Sequence, residues 1–225
     1  MPINSDLLHH NQRRLNLICG SSRLELFEHI GVLRWLGLDG VVVRSPRWPP
    51  YIRSGEMWEQ LQSHCTPNLN ATIPRVTVGQ TIESTYPGGS RRYTKISPSR
   101  DDLLEVTLVI DYPGVGRKEL HYVDSDPLDT ALLAYFIGWP PAMHYVSRGF
   151  GAIGWPHHQR IQWSPENSPD ATLAHWANHR LIDLLGALSV IHPTGLLAGH
   201  VESYCSGHAA DLEVIKASQP HLATG

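Results

Sequence analysis

The sequence predicts an α+β protein arranged in two lobes, and three observations lead there. Apolar periodicity runs strand, helix, strand, helix, then several strands and helices, not in a strict strand–helix–strand alternation. A linker-like stretch with two prolines at 66–74 separates regions of different composition, dividing the chain into a first lobe at 1–74 and a second at 75–225. Finally, 41% apolar residues in a chain of 225 are ample for a real core, which excludes a disordered or fibrous chain.

In the first lobe, 13–19 alternates loosely and predicts a strand. Ser21 or Ser22 supplies an N-cap, with Glu25 as capping-box partner of Ser22, and Leu24, Phe27, Ile30, Val32, Leu33 and Leu36 predict a helix over 24–36 that Gly37 stops. Val41, Val42 and Val43 read as a strand buried on both faces, followed by a Pro-rich irregular stretch and a short helix over 56–64. In the second lobe, 75–84 and 91–97 alternate as strands around the turn at 86–89, and 103–111 and 118–124 are strands joined through Pro113-Gly114. The spacing predicts a helix over 127–136 and a Gly/Pro/Trp-rich loop over 137–165. Leu173, Trp176, Leu181, Leu184, Leu185 and Leu188 predict a long helix from Asp170 or Thr172 to Val190, broken at 192–195. A strand over 196–204 and a closing helix over 209–217 complete the chain.

Composition narrows the function. A formal net charge of −3 lacks the basic surplus of a nucleic-acid binder. No apolar stretch approaches the roughly 20 residues of a membrane helix, and the N-terminus has no signal-peptide core, so the expected setting is cytoplasmic. Three widely spaced cysteines argue against a disulfide framework or a zinc knuckle, whereas 14 histidines hint at a metal or acid–base site.

Three segments carry residues suited to such a site. Glu28-His29 lies in the first predicted helix. His179 and Asp183, four residues apart, share a face of the long helix and suit a single cation. A third ligand such as His29, with one position left for water, would make a catalytic zinc arrangement. Tyr204-Cys205-Ser206-Gly207-His208 brings a histidine into a helix N-terminus, where it suits general-acid work or support of an oxyanion. By spacing alone, a surface hydrogen bond between His179 and Asp183, a commonplace Glu-His dipeptide and an incidental histidine at a helix cap are the more frequent meanings of these patterns.

Together the segments resemble one family, the UDP-3-O-acyl-N-acetylglucosamine deacetylase of lipid A biosynthesis. SSRLELFEHIGVLRWLGLDGVVV is similar to its S-T-V-E-H-L-x-A-A-L-x-G-L-G-I-D-N run, NHRLIDLLGAL to R-H-K-x-L-D-x-I-G-D-L, YCSGHA to Y-K-S-G-H-A and SRGFG at 147–151 to A-R-T-F-G. The four come in the family's order between about residues 20 and 217. The resemblance implies two α+β lobes, each a β-sheet packed by helices, with the active site between them. It implies Zn2+ held by His29, His179 and Asp183. Glu28 would be the general base that deprotonates the bound water, and His208 the general acid and oxyanion support. It also implies substrate contacts at Gly149, Phe150, Arg180 and Cys205.

The chain departs from the family where the larger substrate is held. Ala187 stands where the family has the carboxylate that orients its catalytic histidine, Cys205 where it has a lysine near the nucleotide phosphates, and Gly149 where it has a threonine. Arg180 replaces a lysine and keeps the charge, and PPYIRSG carries Arg53 in place of an acid. Against the family's pattern, the first lobe is expected to lack most of the opening strands, and 151–178 is short for an acyl passage. Trp139, Trp155 and Trp163 are candidates to line a pocket in its place or to cover a small core. The expectation is therefore a metal-dependent hydrolase removing an N-acetyl or short N-acyl group from a small amino-sugar or specialised-metabolite substrate. The alternatives are a minimal lipid A deacetylase and a non-catalytic, metal-stabilised binding paralogue. The expected partner is the small N-acylated substrate, with no nucleic acid, no stable membrane insertion, and room for a homo-oligomer that covers an open sheet edge.

Overall fold

The computed structural model describes residues 5–11, 14–19, 22–25, 31–37, 73–85, 91–112, 116–126, 136–137, 160–161 and 169–224. The chain opens with an antiparallel sheet of β1 (Leu8–Asn11), β2 (Arg14–Cys19) and β3 (Ser22–Glu25), in that order. A 3-10 turn, Val32–Leu36, follows and ends at Gly37, whose N–H donates to the Arg34 carbonyl at 3.1 Å. Next come β4 (Arg75–Val78), β5 (Ile82–Thr85), β6 (Tyr93–Ser97), β7 (Leu104–Tyr112) and β8 (Gly116–Val123). The two-residue strands β9 (Phe136–Ile137) and β10 (Arg160–Ile161) pair in parallel. The long helix α1 (Pro169–Leu188), β11 (Leu196–Leu197), β12 (Gly199–Tyr204), helix α2 (His208–Ser218) and β13 (Leu222–Thr224) complete an α+β architecture. Among the described residues no helix is long and apolar enough to cross a membrane.

The main sheet has the order β5-β6-β12-β7-β8, with β12 antiparallel to β6 and parallel to β7. Period-two alternation explains its two faces. On β7, Leu104, Val106, Leu108 and Ile110 are buried while Glu105 is exposed. Both helices pack on the apolar face, α1 against β7 and β8, α2 against β5 and β6. The helical spacing of Leu173, Trp176, Ala177, Leu181, Leu184, Leu185 and Leu188 gives α1 its buried face. One contiguous core joins these residues to Val201 and Ile215 and also to Leu8, Leu15 and Val32 from the N-terminal segment.

The predicted strands at 13–19, 91–97, 103–111 and 118–124 and the helices at 170–190 and 209–217 all form, with small shifts at their ends. Three readings are corrected. Ser22 to Glu25 is strand β3, in register with β2 (Leu24 opposite Leu17), so Ser22 does not cap a helix there and Glu25 is no capping-box partner. Hydrogen bonds to a neighbouring strand satisfy this backbone where the sequence pattern suggests a helical turn, and the end of the expected helix over 24–36 is the 3-10 turn. The stretch 75–84 is two strands, β4 and β5, in different sheets. The stretch 196–204 divides likewise: β11 pairs with β4, and β12 enters the main sheet. Gly199 makes that crossing possible, because a Cβ there would lie 2.8 Å from the Ser97 carbonyl oxygen. His9 and His10 are exposed on strand β1. The expected strand at 41–43, helix at 56–64, turn at 86–89, most of the helix at 127–136 and most of the loop at 137–165 lie outside the described residues.

Candidate metal and acid–base site

Helix α1 places His179 and Asp183 one turn apart, with side chains only 13% and 10% exposed. His179 Nε2 lies 3.6 Å from Asp183 Oδ2. That separation exceeds the roughly 2.7–3.2 Å of a direct N–H···O hydrogen bond. It is close to the ~3.4 Å between two ligand atoms that each sit about 2.1 Å from one tetrahedral ion. Helix α2 supplies the third group. Its first residue is His208, and His208 Nε2 lies 3.9 Å from the same Asp183 oxygen. One oxygen of a largely buried carboxylate thus lies within 4 Å of two imidazoles carried by different helices.

Among the described residues no group of three His, Cys, Asp or Glu side chains gathers closely enough to hold a metal ion. His179 and Asp183 supply two donors of the right chemistry and spacing. Glu28, His29, Gly149 and Phe150, and with them the third proposed ligand, the base and two of the substrate contacts, lie outside the described residues. The segment that follows Glu28-His29 is described. Gly31 packs against Gly186 of α1 and Ser189 just after it, and the Trp35 indole N–H donates to the Leu185 carbonyl at 2.7 Å. Arg34 Nη1 donates to the carbonyls of Ser189 at 2.5 Å and His192 at 2.8 Å, and Nη2 to that of Pro193 at 3.2 Å. These carbonyls lie just beyond the C-terminal end of α1, so the guanidinium ties the segment 31–37 to the chain leaving that helix and sets a cation near the negative end of its dipole.

Arg180 does not point at open solvent. Its Nη2 donates to Asp211 Oδ1 and to Ser206 Oγ, with its side chain 12% and that of Asp211 0% exposed. Cys205 has φ 44°, a left-handed conformation unusual for a non-glycine residue. It turns its thiol onto β7: the Asp111 N–H donates to Sγ at 3.1 Å, and Sγ donates to the Asp111 carbonyl at 3.2 Å. Burial pushes the thiol up from its usual range, the hydrogen bond from the Asp111 backbone opposing it less strongly. Ala187 is fully buried in the core.

Sequence reasoning missed Arg34, Trp35, Ser206 and Asp211. Asp211 sits three residues after His208 in the first turn of α2, a place where acids are ordinary, so only its partner across the fold distinguishes it. No protein-family model matches the chain, and comparison with curated proteins found no match.

Proposed function

We propose that the chain is a zinc-dependent amide hydrolase that removes an N-acetyl or short N-acyl group from a small substrate, such as an amino sugar or a specialised metabolite, at a site between two lobes. The observation that carries this reading is the Asp183 carboxylate standing 3.6 Å from His179 Nε2 and 3.9 Å from His208 Nε2. Two ligand-type donors and an acid–base group converge there from separate helices. The docking of Gly31 on Gly186 adds support. Gly31 follows the Glu28-His29 pair closely in sequence, and Gly186 is three residues beyond Asp183 on α1.

His29, His179 and Asp183 would hold the ion, which when bound lowers the pKa of water and polarises an amide carbonyl. Glu28 accepts the proton from the attacking water. His208 protonates the departing amine and stabilises charge on the carbonyl oxygen. The buried, backbone-bound thiol of Cys205 offers no cation to a nucleotide phosphate, which favours a small substrate over the UDP-linked lipid precursor.

Metal analysis and acetate release from a panel of N-acetylated compounds test the proposal. The expected result is one zinc ion per chain and turnover that Glu28→Gln lowers about a hundredfold or more while retaining the metal. A zinc-loaded chain that releases no acetate would favour the non-catalytic paralogue. Hydroxamates test substrate size: one carrying a long apolar tail should bind no better than the bare head group. A gain near 0.8 kcal/mol per methylene would establish an acyl passage and favour the lipid A enzyme.

A further inference from the structure

Arg180 follows His179 on α1, but its side chain ends on α2. Nη2 donates to Asp211 Oδ1 at 2.5 Å and to Ser206 Oγ at 2.7 Å. The Asp211 carboxylate also accepts from Thr94 Oγ1 of β6 at 2.8 Å, and the Ser206 and Ser203 hydroxyls are 2.7 Å apart. The backbone closes the same turn, with the Asp211 N–H donating to the Gly207 carbonyl at 3.1 Å. Gly207 at the N-cap provides no side-chain cap. His208 therefore lies between two anchored positions, Ser206 before it and Asp211 after it, and one guanidinium holds both. That guanidinium belongs to the helix that carries Asp183.

We propose that Arg180 and Asp211 form a positioning pair. By tying the first turn of α2 to α1 it holds the His208 imidazole against Asp183, and Arg180 thereby serves proton transfer, not the binding of a substrate anion. The statement about proton transfer rests on the hydrolase reading; the statement about position does not. Asp211 is fully buried, and Arg180 Nη2 reaches its carboxylate and the Ser206 hydroxyl together, so removing the guanidinium would leave a buried acid without its cation. A guanidinium committed in this way has little freedom to reach for a ligand. Both bonds come from one nitrogen, so a lysine ammonium would restore the charge and can donate to the same two oxygens.

The test reads position and kinetics separately. In the full chain, without substrate, the nuclear Overhauser contact between the His208 ring and the Asp183 β-protons should be present in the parent and in Arg180→Lys. It should be lost in Arg180→Met and in the milder Asp211→Asn, with the core methyl contacts of Leu184 and Val214 retained. With a turned-over substrate, Arg180→Met and Asp211→Asn should lower kcat about tenfold or more and leave KM nearly unchanged, and Arg180→Lys should recover most of the loss. A ring contact that survives in a folded Asp211→Asn, or a rise in KM with kcat intact, overturns the proposal. Because the ring contact needs no substrate, it decides the pair's role even if no N-acetylated compound turns over, a result that would sink only the hydrolase reading.

Discussion

Gly31 lies directly against Gly186: a Cβ on Gly31 would stand 2.5 Å from Ser189 Oγ and nearer still to the Gly186 carbonyl oxygen. Those two oxygens are already joined, the Ser189 hydroxyl donating to the Gly186 carbonyl at 2.6 Å. Neither can withdraw easily, since one is helix backbone and the other is held by it. Gly31→Ala should therefore destabilise the chain by about 1–3 kcal/mol through overpacking. A lower urea midpoint with an unchanged slope would register it. A Gly31→Ala chain as stable as the parent would mean that the N-terminal segment is not fixed to α1 in this way.

Arg34 gives a second view of the same junction. Removing its guanidinium in Arg34→Ala frees three carbonyls, those of Ser189, His192 and Pro193. A loss of roughly 1.5–3 kcal/mol is expected, as for hydrogen bonds made by a charged group. Arg34→Lys should recover part of it, because one ammonium cannot match the fork. Equal stability of all three chains in urea would remove Arg34 from the account.

Metal binding should appear as stability. Zinc at 100 times its dissociation constant should raise the unfolding free energy by about 2.7 kcal/mol if it binds only the folded chain. A chelator should reverse the gain. His179→Ala and Asp183→Asn should each abolish it, measured as the urea midpoint with and without zinc. An undiminished response in either variant would place the ion elsewhere.

Tyr122 predicts a loss of stability in alkali. It is 8% exposed on the inner face of β8, and burial, then the nearby Asp124 carboxylate, pushes its phenol up to about 12. An unfolded tyrosine ionises near pH 10. Since the folded value is the higher one, the unfolded chain gives up this proton first as pH rises. The stabilising contribution is complete below about pH 10 and is lost between about pH 10 and pH 12. Tyr122→Phe should show a shallower decline of the urea midpoint across that interval. Identical slopes for the two chains would refute the assignment.

Local pattern alone determined much of this protein. The alternation of Leu104, Val106, Leu108 and Ile110 marks β7 and its inner face, and the helical spacing from Leu173 to Leu188 marks α1. The four-residue step from His179 to Asp183 by itself places the two groups on one helical face. Such features are legible because the period of a helix or strand dictates which side chains share a face. Partnership between distant segments is not legible in that way. Ser22 to Glu25 has helical signals, yet β2 is available to pair with it. The run from Leu196 to Tyr204 has one continuous pattern, yet β4 and β7 draw its two parts into different sheets. The meeting of His208 with Asp183 and the burial of Arg180 against Asp211 arise from the packing of α1 beside α2 on the main sheet. Tertiary structure decided these points because a side chain's charge and hydrogen-bonding capacity can be read from the sequence, whereas the group that satisfies them depends on which distant surfaces exclude water together.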